Sequence, residues 1–161
     1  ATLMGAYGQA RVNFERAQKV AEDYDYGWAI VKTNRYRGNI ATILGDFDQA
    51  RKFLLISLRL ADDLGMMRDL VSALYDIATV EAAVGDQALA VRLLAAVRKH
   101  PLSDQTRTFS MWLQQPEVRF RDLAERLLEE LRDELPADTY AEAVAAGRGL
   151  ELDTAVLELM R

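Results

Sequence analysis

A repeat with a period of about forty residues is the feature that most constrains how this chain can fold. The segment Gly45–Arg51 combines a glycine, an acidic residue, an aromatic residue and an alanine five positions after the glycine. Related segments begin forty residues before and after it, at Gly5 and Gly85. Recurrence at roughly 20–50 residues is the signature of stacked repeats, whose units bury their apolar faces against each other. The sequence therefore predicts a repeat architecture.

Apolar residues within each repeat are spaced three and four positions apart, which predicts amphipathic helices. Ala10, Phe14 and Ala17 illustrate this spacing in the first copy, where a turn at 5–7 is expected to precede the helix. Turns are also expected at 24–27 and at Gly65. The predicted helices of the repeat region cover approximately residues 9–23, 28–44, 47–64, 68–84 and 85–99. The predicted fold class is therefore all-α.

Small residues recur where neighbouring helices are expected to cross or end. A side chain no larger than a methyl group lets two helix backbones approach closely. A glycine after a helix accommodates the left-handed backbone that often ends it. The six structural repeat positions are Gly38, Gly45, Ala50, Ala78, Gly85 and Ala90.

This pattern of helix pairs and small residues over residues 5–99 resembles the tetratricopeptide repeat (TPR). The period exceeds the roughly 34 residues of the standard repeat, and the longer helices look like those of large bacterial signalling ATPases and LuxR-type multidomain transcription regulators. The segment His100–Arg107 and the later Gly147-Arg148 are similar to the C-terminal tails of those regulators.

The resemblance implies a TPR-like right-handed superhelix of antiparallel helix pairs over residues 1–99. It implies that residues 100–161 form C-terminal capping helices of the same domain. It also implies that the chain is a fragment of a larger bacterial signalling or transcription-regulatory protein, with ATPase and DNA-binding parts upstream. Repeat stacks need an atypical terminal unit to cover their open apolar end.

The tail has local helix signals of its own. Ser103 is a plausible N-cap for a helix with Phe109, Trp112 and Leu113 on its inner side. Pro116 suits the first position of a second, longer helix. The sequence therefore predicts two helices between Ser103 and Pro136.

Composition argues against several functions. The chain has no cysteine and a single histidine, His100, which we expect to bond the last carbonyls of the preceding helix. The carboxylates fall mostly on outward helix faces, and no nucleophile or phosphate-loop motif is present. We therefore expect no enzymatic activity, no cofactor and no metal. The absence of cysteine fits a reducing cytoplasm.

Charge and hydropathy exclude two classes of partner. The formal net charge is −5 and opposite charges are interspersed, which argues against direct nucleic-acid binding. No apolar run approaches the roughly 18 residues of a membrane span, so we expect no membrane partner.

A polar set on the first helix of each repeat is the candidate binding groove, because those helices line the concave side of stacks that this chain resembles. Arg35 and Asn39 look like part of the carboxylate clamp that some TPR domains use on peptide C-termini. The alternative, and the favoured interpretation, is a solvated polar face. The six candidate residues are Lys32, Arg35, Asn39, Ser72, Tyr75 and Thr79.

Two further groups stand out. Tyr24, Tyr26 and Trp28 could form a ledge for an apolar ligand, but we favour rings that staple a turn onto neighbouring helices. Arg37 and Glu81 break the apolar repeat pattern, and we expect them to form an ion pair.

The sequence thus predicts a non-enzymatic module that binds a protein segment, a peptide or a small regulatory effector. The alternative is a structural module that only self-associates, as a homodimer, and has no ligand of its own.

Overall fold

The computed structural model describes residues 3–105, 107–110 and 115–161, and the described chain is almost entirely helical. The predicted all-α class is confirmed at this level. The chain divides into two compact units, one extending to Ala73 and joined by Met160, the other covering Leu74 to Leu159 with Arg161. The boundary falls inside a continuous helix.

The first unit contains three complete helices and the start of a fourth. They are α1 (Leu3–Asp23), α2 (Gly27–Ile43), α3 (Phe47–Asp63) and the first part of α4 (Met67–Val84). The middle helix, α2, packs against both α1 and α3. Their shared core consists of the fully buried side chains Val31, Ile40, Ala50, Leu54, Leu58 and Ala61.

Glycine and aspartate together set the turns between helices. Gly45 and Gly85 adopt the left-handed backbone, with φ of 79° and 102°. The next residue then caps the following helix: Asp46 Oδ1 accepts from the amide of Gln49 at 3.3 Å, and Asp86 Oδ1 accepts from that of Leu89 at 3.2 Å. Each carboxylate satisfies an amide that the first turn of a helix leaves without a partner.

The turn predicted at 5–7 is wrong, because α1 continues through this segment without a break. The residue after Gly5 is Ala6, which has no side-chain acceptor for capping a new helix. Without that cap, Gly5 does not end one helix and begin another. Tyr7 is buried as part of α1.

The second unit is built around α5. It contains the rest of α4, then α5 (Gln87–Lys99), α6 (Pro101–Gln105), β1 (Arg107–Ser110), β2 (Gln115–Arg119), α7 (Phe120–Glu134), α8 (Ala137–Arg148) and α9 (Leu152–Leu159). Helices α7 and α8 both pack on α5. The approach of α8 is close at Gly147, where an added Cβ would meet the Arg92 carbonyl oxygen and lie 2.6 Å from Ala95 Cβ.

A short antiparallel hairpin replaces the helix predicted after Ser103. Strands β1 and β2 pair Arg107 with Arg119 and Thr108 with Val118. The prediction that Pro116 begins a helix is also wrong, since it lies in β2 and α7 begins at Phe120. Proline favours an extended residue before it and is tolerated in edge strands. Phe109 lies in β1, and the predicted helix residues Trp112 and Leu113 lie outside the described residues.

His100 was predicted to bond the last carbonyls of α5 and Ser103 to cap the following helix, but the structure reverses these two roles. The Nδ1 atom of His100 accepts from the amide of Leu102 at 3.2 Å, so the ring serves the start of α6. Ser103 lies inside α6, where its hydroxyl donates to the His100 carbonyl at 2.8 Å. The predicted N-cap at Ser103 is therefore wrong.

Candidate functional site

The predicted groove residues of the first unit are largely occupied by partners within the protein. Lys32 Nζ lies 2.5 Å from Asp69 Oδ1. Arg35 is buried, and the Ser72 hydroxyl donates to the Arg68 carbonyl at 2.8 Å. Asn39 is half-buried. A ligand on this face would therefore compete with existing contacts.

The two predicted groove residues of the second unit also have structural partners. The Tyr75 ring meets Phe120 edge-on, with centroids 5.5 Å apart. Burial, with the nearby Asp76 carboxylate next in importance, raises the pKa of the Tyr75 phenol above its ordinary value. Thr79 donates to the Asp76 carbonyl at 2.6 Å. The binding role of all six groove residues stays a prediction.

A cleft of about 530 Å³ lies elsewhere in the first unit, among α1, α2 and α3. This volume is within the range of roughly 300–1,000 Å³ that is usual for ligand sites. Its lining combines charged, amide and apolar side chains from all three helices: Arg11, Glu15, Arg37, Ala41, Leu44, Asp46, Gln49 and Phe53.

Helical spacing brings these side chains together. Arg37 and Ala41 of α2 and its C-cap residue Leu44 are four and three positions apart, so they follow one another along a single face. Arg11 and Glu15 are one turn apart on α1. The remaining three come from the cap and first turns of α3. The result is a cleft lined by both apolar side chains and hydrogen-bonding groups.

Arg37 is the most constrained polar side chain of the cleft. Its guanidinium carbon lies 4.0 Å from the centroid of the Phe53 ring, a cation–π arrangement. Its Nη1 donates to Gln18 Oε1 at 2.7 Å. Its Nε is buried and has no hydrogen-bond partner among the described residues. The guanidinium is therefore held in place by the Phe53 ring and by Gln18.

Sequence reasoning had a signal for Arg37 but not for the cleft. Arg37 stands where the next repeat has Ile77, a charge at an otherwise apolar position. The expected ion pair with Glu81 stays a prediction, and the partners found within the first unit are Gln18 and Phe53. Nothing in the spacing of Phe53 marks it as the platform for this cation.

The staple interpretation of the turn aromatics is wrong. Tyr24, Tyr26 and Trp28 are 68%, 51% and 62% exposed, so their rings are not packed beneath neighbouring helices. Leu64 and Met67, which flank the α3–α4 turn of the same unit, are also exposed. These five residues form what we call the aromatic patch.

Metal and membrane features are not found in the part of the chain that the structure describes. There, no three acidic, histidine or cysteine side chains are grouped so that they could hold a metal ion. Over the same residues, no helix combines the length and apolar character that crossing a bilayer requires.

Comparison with known proteins adds no relative: no family model matches the chain, and no match is found among curated proteins or solved structures.

Proposed function

We propose that this chain is a non-enzymatic binding module of the TPR type, whose ligand is a short protein segment. The proposal extends to the TPR-like superhelix and to a place in a larger cytoplasmic signalling or transcription-regulatory protein. Its architectural support is the recurrence, at the forty-residue period, of the left-handed glycines Gly45 and Gly85 and of the capping aspartates that follow them. Ala50 and Ala90, at the same spacing, are both fully buried.

The cleft among α1, α2 and α3 is the observation that carries the binding function. A peptide presents backbone donors, backbone acceptors and side chains together, and the cleft offers groups for each. Arg11 and Arg37 donate, Glu15 accepts, and Gln49 can do both. Leu44 and Phe53 provide apolar surface for a side chain of the ligand.

Arg37 is expected to be the anchor of this site. Because its ring platform and its bond to Gln18 already fix the guanidinium, little conformational entropy is lost when a ligand oxygen binds it. A carboxylate of the ligand, from a side chain or a chain end, is the strongest acceptor available.

The proposal can be tested by selecting binders from a displayed library of random short peptides and measuring their affinity by calorimetry. We expect recovered peptides to bind the wild-type chain and to bind the Arg37→Met variant about 10–150-fold more weakly. This range corresponds to the roughly 1.5–3 kcal/mol of a hydrogen bond to a charged group.

Arg16→Met is the matched control, since Arg16 is an exposed arginine of α1 that does not line the cleft. Its affinity for the same peptides should equal that of the wild type. Far-ultraviolet circular dichroism would establish that both variants fold. Peptides that bind Arg37→Met as tightly as wild type, or no enrichment at all, would contradict the proposed function.

A further inference from the structure

We propose that the aromatic patch is a second docking surface, and that its occupant is an arginine-rich segment of a partner protein. The patch comprises Tyr24, Tyr26, Trp28, Leu64 and Met67, none of which lines the cleft. The inference therefore stands independently of the function proposed above.

The patch is one continuous surface formed by two turns. An added Cβ at Gly27 would lie 2.9 Å from Leu64 Cδ1, so the α1–α2 turn packs directly against the α3–α4 turn. The rings of Tyr24 and Tyr26 stack with centroids 6.0 Å apart. Met67 begins α4 immediately beyond the second turn. Three exposed aromatic rings and two exposed aliphatic side chains grouped in this way are typical of interaction surfaces.

Five carboxylates neighbour the patch residues in sequence, and their charge indicates the class of occupant. Helix α1 ends on Glu22 and Asp23, and α3 ends on Asp62 and Asp63; all four are exposed. Asp25 lies between the stacked tyrosines in sequence and is exposed too. We call these five residues the acidic rim.

The acidic rim is unfavourable for the isolated fold. The C-terminus of a helix carries a partial negative charge, so carboxylates in the last turn are repelled by it, whereas basic residues would be stabilising. Neither α1 nor α3 has a basic residue in its last turn. A cationic partner would relieve this repulsion.

Within the described residues, only one of the five rim carboxylates, Asp23, pairs with a cation. Lys19 pairs with Asp23 at 3.2 Å, and Lys32 pairs with Asp69. Asp62 and Asp63 form no side-chain hydrogen bond or ion pair with any described residue. Arg59 and Arg68 are the other nearby cations in sequence, and both are exposed.

An arginine-rich segment matches both components of this surface. The guanidinium stacks on aromatic faces and also forms two parallel hydrogen bonds to a carboxylate. A second copy of this chain matches less well. In a two-fold dimer the same patch faces itself, so the two acidic rims would be brought together.

The test uses the full chain and a fluorescein-labelled arginine-rich peptide, with binding followed by fluorescence anisotropy at low salt. A peptide with citrulline in place of arginine keeps the planar side chain but removes its charge. We expect saturable binding of the arginine peptide, weakening with added salt, and no measurable binding of the citrulline peptide.

Two variants connect the binding to the patch and to its rim. Trp28→Ala should weaken the arginine peptide roughly fivefold to thirtyfold, the effect of a cation–π contact of about 1–2 kcal/mol. The double variant Asp62→Asn and Asp63→Asn should weaken it roughly threefold to tenfold, as expected for two exposed ion pairs. Asp48→Asn, at the opposite end of α3, removes an exposed carboxylate away from the rim and should leave the affinity unchanged.

The proposal would be overturned if the wild type bound the citrulline peptide as tightly as the arginine peptide. It would also be overturned if Trp28→Ala bound the arginine peptide as tightly as the wild type does. If Asp48→Asn lost as much affinity as the double variant at Asp62 and Asp63, the proposal would be overturned as well, because the attraction would then come from overall charge. Sedimentation velocity adds one more decisive outcome: a dimer that Trp28→Ala dissociates would assign the patch to a second copy of this chain.

Discussion

Glycines that look alike in the sequence differ in what surrounds them. Gly38, in α2, would place an added Cβ 2.6 Å from Leu54 Cγ and 3.2 Å from the Ala50 carbonyl oxygen. Gly147, in α8, faces the backbone of α5 even more closely. Gly8, in α1, has no atom within 4 Å of that position. The first two are required by packing, whereas the third is only a flexible residue in a helix.

Alanine substitution should distinguish these glycines by whether it raises or lowers the free energy of unfolding. Gly8→Ala should stabilise the chain by about 0.5–1 kcal/mol, because alanine is the better helix former. Gly38→Ala should destabilise it, since overpacking costs about 1–3 kcal/mol and exceeds the gain in helix propensity. Gly147→Ala should cost more, because the backbone carbonyl of Arg92 has less freedom to move than a side chain.

Urea unfolding measures all three variants, provided that the slope of free energy against denaturant stays constant. The unchanged chain serves as the common reference. A Gly38→Ala variant as stable as Gly8→Ala would show that α2 and α3 do not approach as closely as described.

Single residues also show where sequence reasoning succeeded and where it stopped. Gly38 and Ala50 could be identified as close contacts because their counterparts Ala78 and Ala90 recur forty residues later, and all four are buried. Arg37 could be flagged because it interrupts that recurrence. The pairing of Arg37 with Phe53 could not be foreseen, because it depends on how two helices rotate about their axes.

Turns and helix starts could be predicted where a local capping signal also recurred at the forty-residue period. The turns at Gly45 and Gly85 combine a left-handed glycine with a capping aspartate, and both appear in the structure. The apparent copy at Gly5 lacks the aspartate, and the helix continues. The hairpin β1–β2 has no repeat counterpart, so its sequence was interpreted from weak helix signals alone.

The start of α7, the element that follows the hairpin, is linked to its neighbours by Arg119. Arg119 makes two hydrogen bonds to Asp122, at 2.9 and 3.0 Å, and its third nitrogen lies 2.8 Å from Asp104 Oδ1. It therefore joins the end of β2 to the first turn of α7 and to α6. The hydrogen bonds from Arg119 lower the pKa of the Asp122 carboxyl from its ordinary value of 3.8.

This lowered pKa predicts a specific pH dependence. A carboxyl whose pKa is lower in the folded state stabilises the fold above its unfolded value, and the stabilisation is lost as the pH falls through the folded value. The Asp122 contribution should therefore be present at neutral pH, and it should be lost progressively as the pH falls below about 3.8 and through the lowered pKa. Asp122→Asn should lower the melting temperature at neutral pH and converge on the wild type in acid.

Melting temperature measured against pH provides the test. Glu129→Gln, which removes an exposed carboxylate of the same helix, is the control and should not reproduce the convergence. A constant difference between wild type and Asp122→Asn at every pH would show that this carboxyl does not stabilise the fold through its charge.

On the scale of the whole molecule, both candidate binding surfaces belong to the first unit and share α3. Phe53 lies at the cleft, and Asp62 lies at the acidic rim. The two are nine positions apart on one helix, which corresponds to roughly 13 Å at about 1.5 Å per residue. This separation exceeds the Debye length of about 8 Å at physiological ionic strength.

The last prediction is that the two surfaces bind independently. Substitutions more than about 7–10 Å apart with no shared partner usually have additive effects. Arg37→Met should therefore leave the affinity for the arginine-rich peptide unchanged. Trp28→Ala should likewise leave unchanged the affinity for peptides selected on the cleft. The double variant should lose both affinities by the same factors as the single variants.

Competition between the two classes of peptide would distinguish independent sites from one extended site. Saturating the chain with a cleft peptide should not displace the labelled arginine peptide at physiological salt. Mutual displacement would mean that one elongated partner lies along α3 and occupies the cleft and the aromatic patch together. In that case the charges of such a partner should be ordered along its length: a carboxylate where it meets Arg37, and arginines where it meets the rim at the other end of the helix.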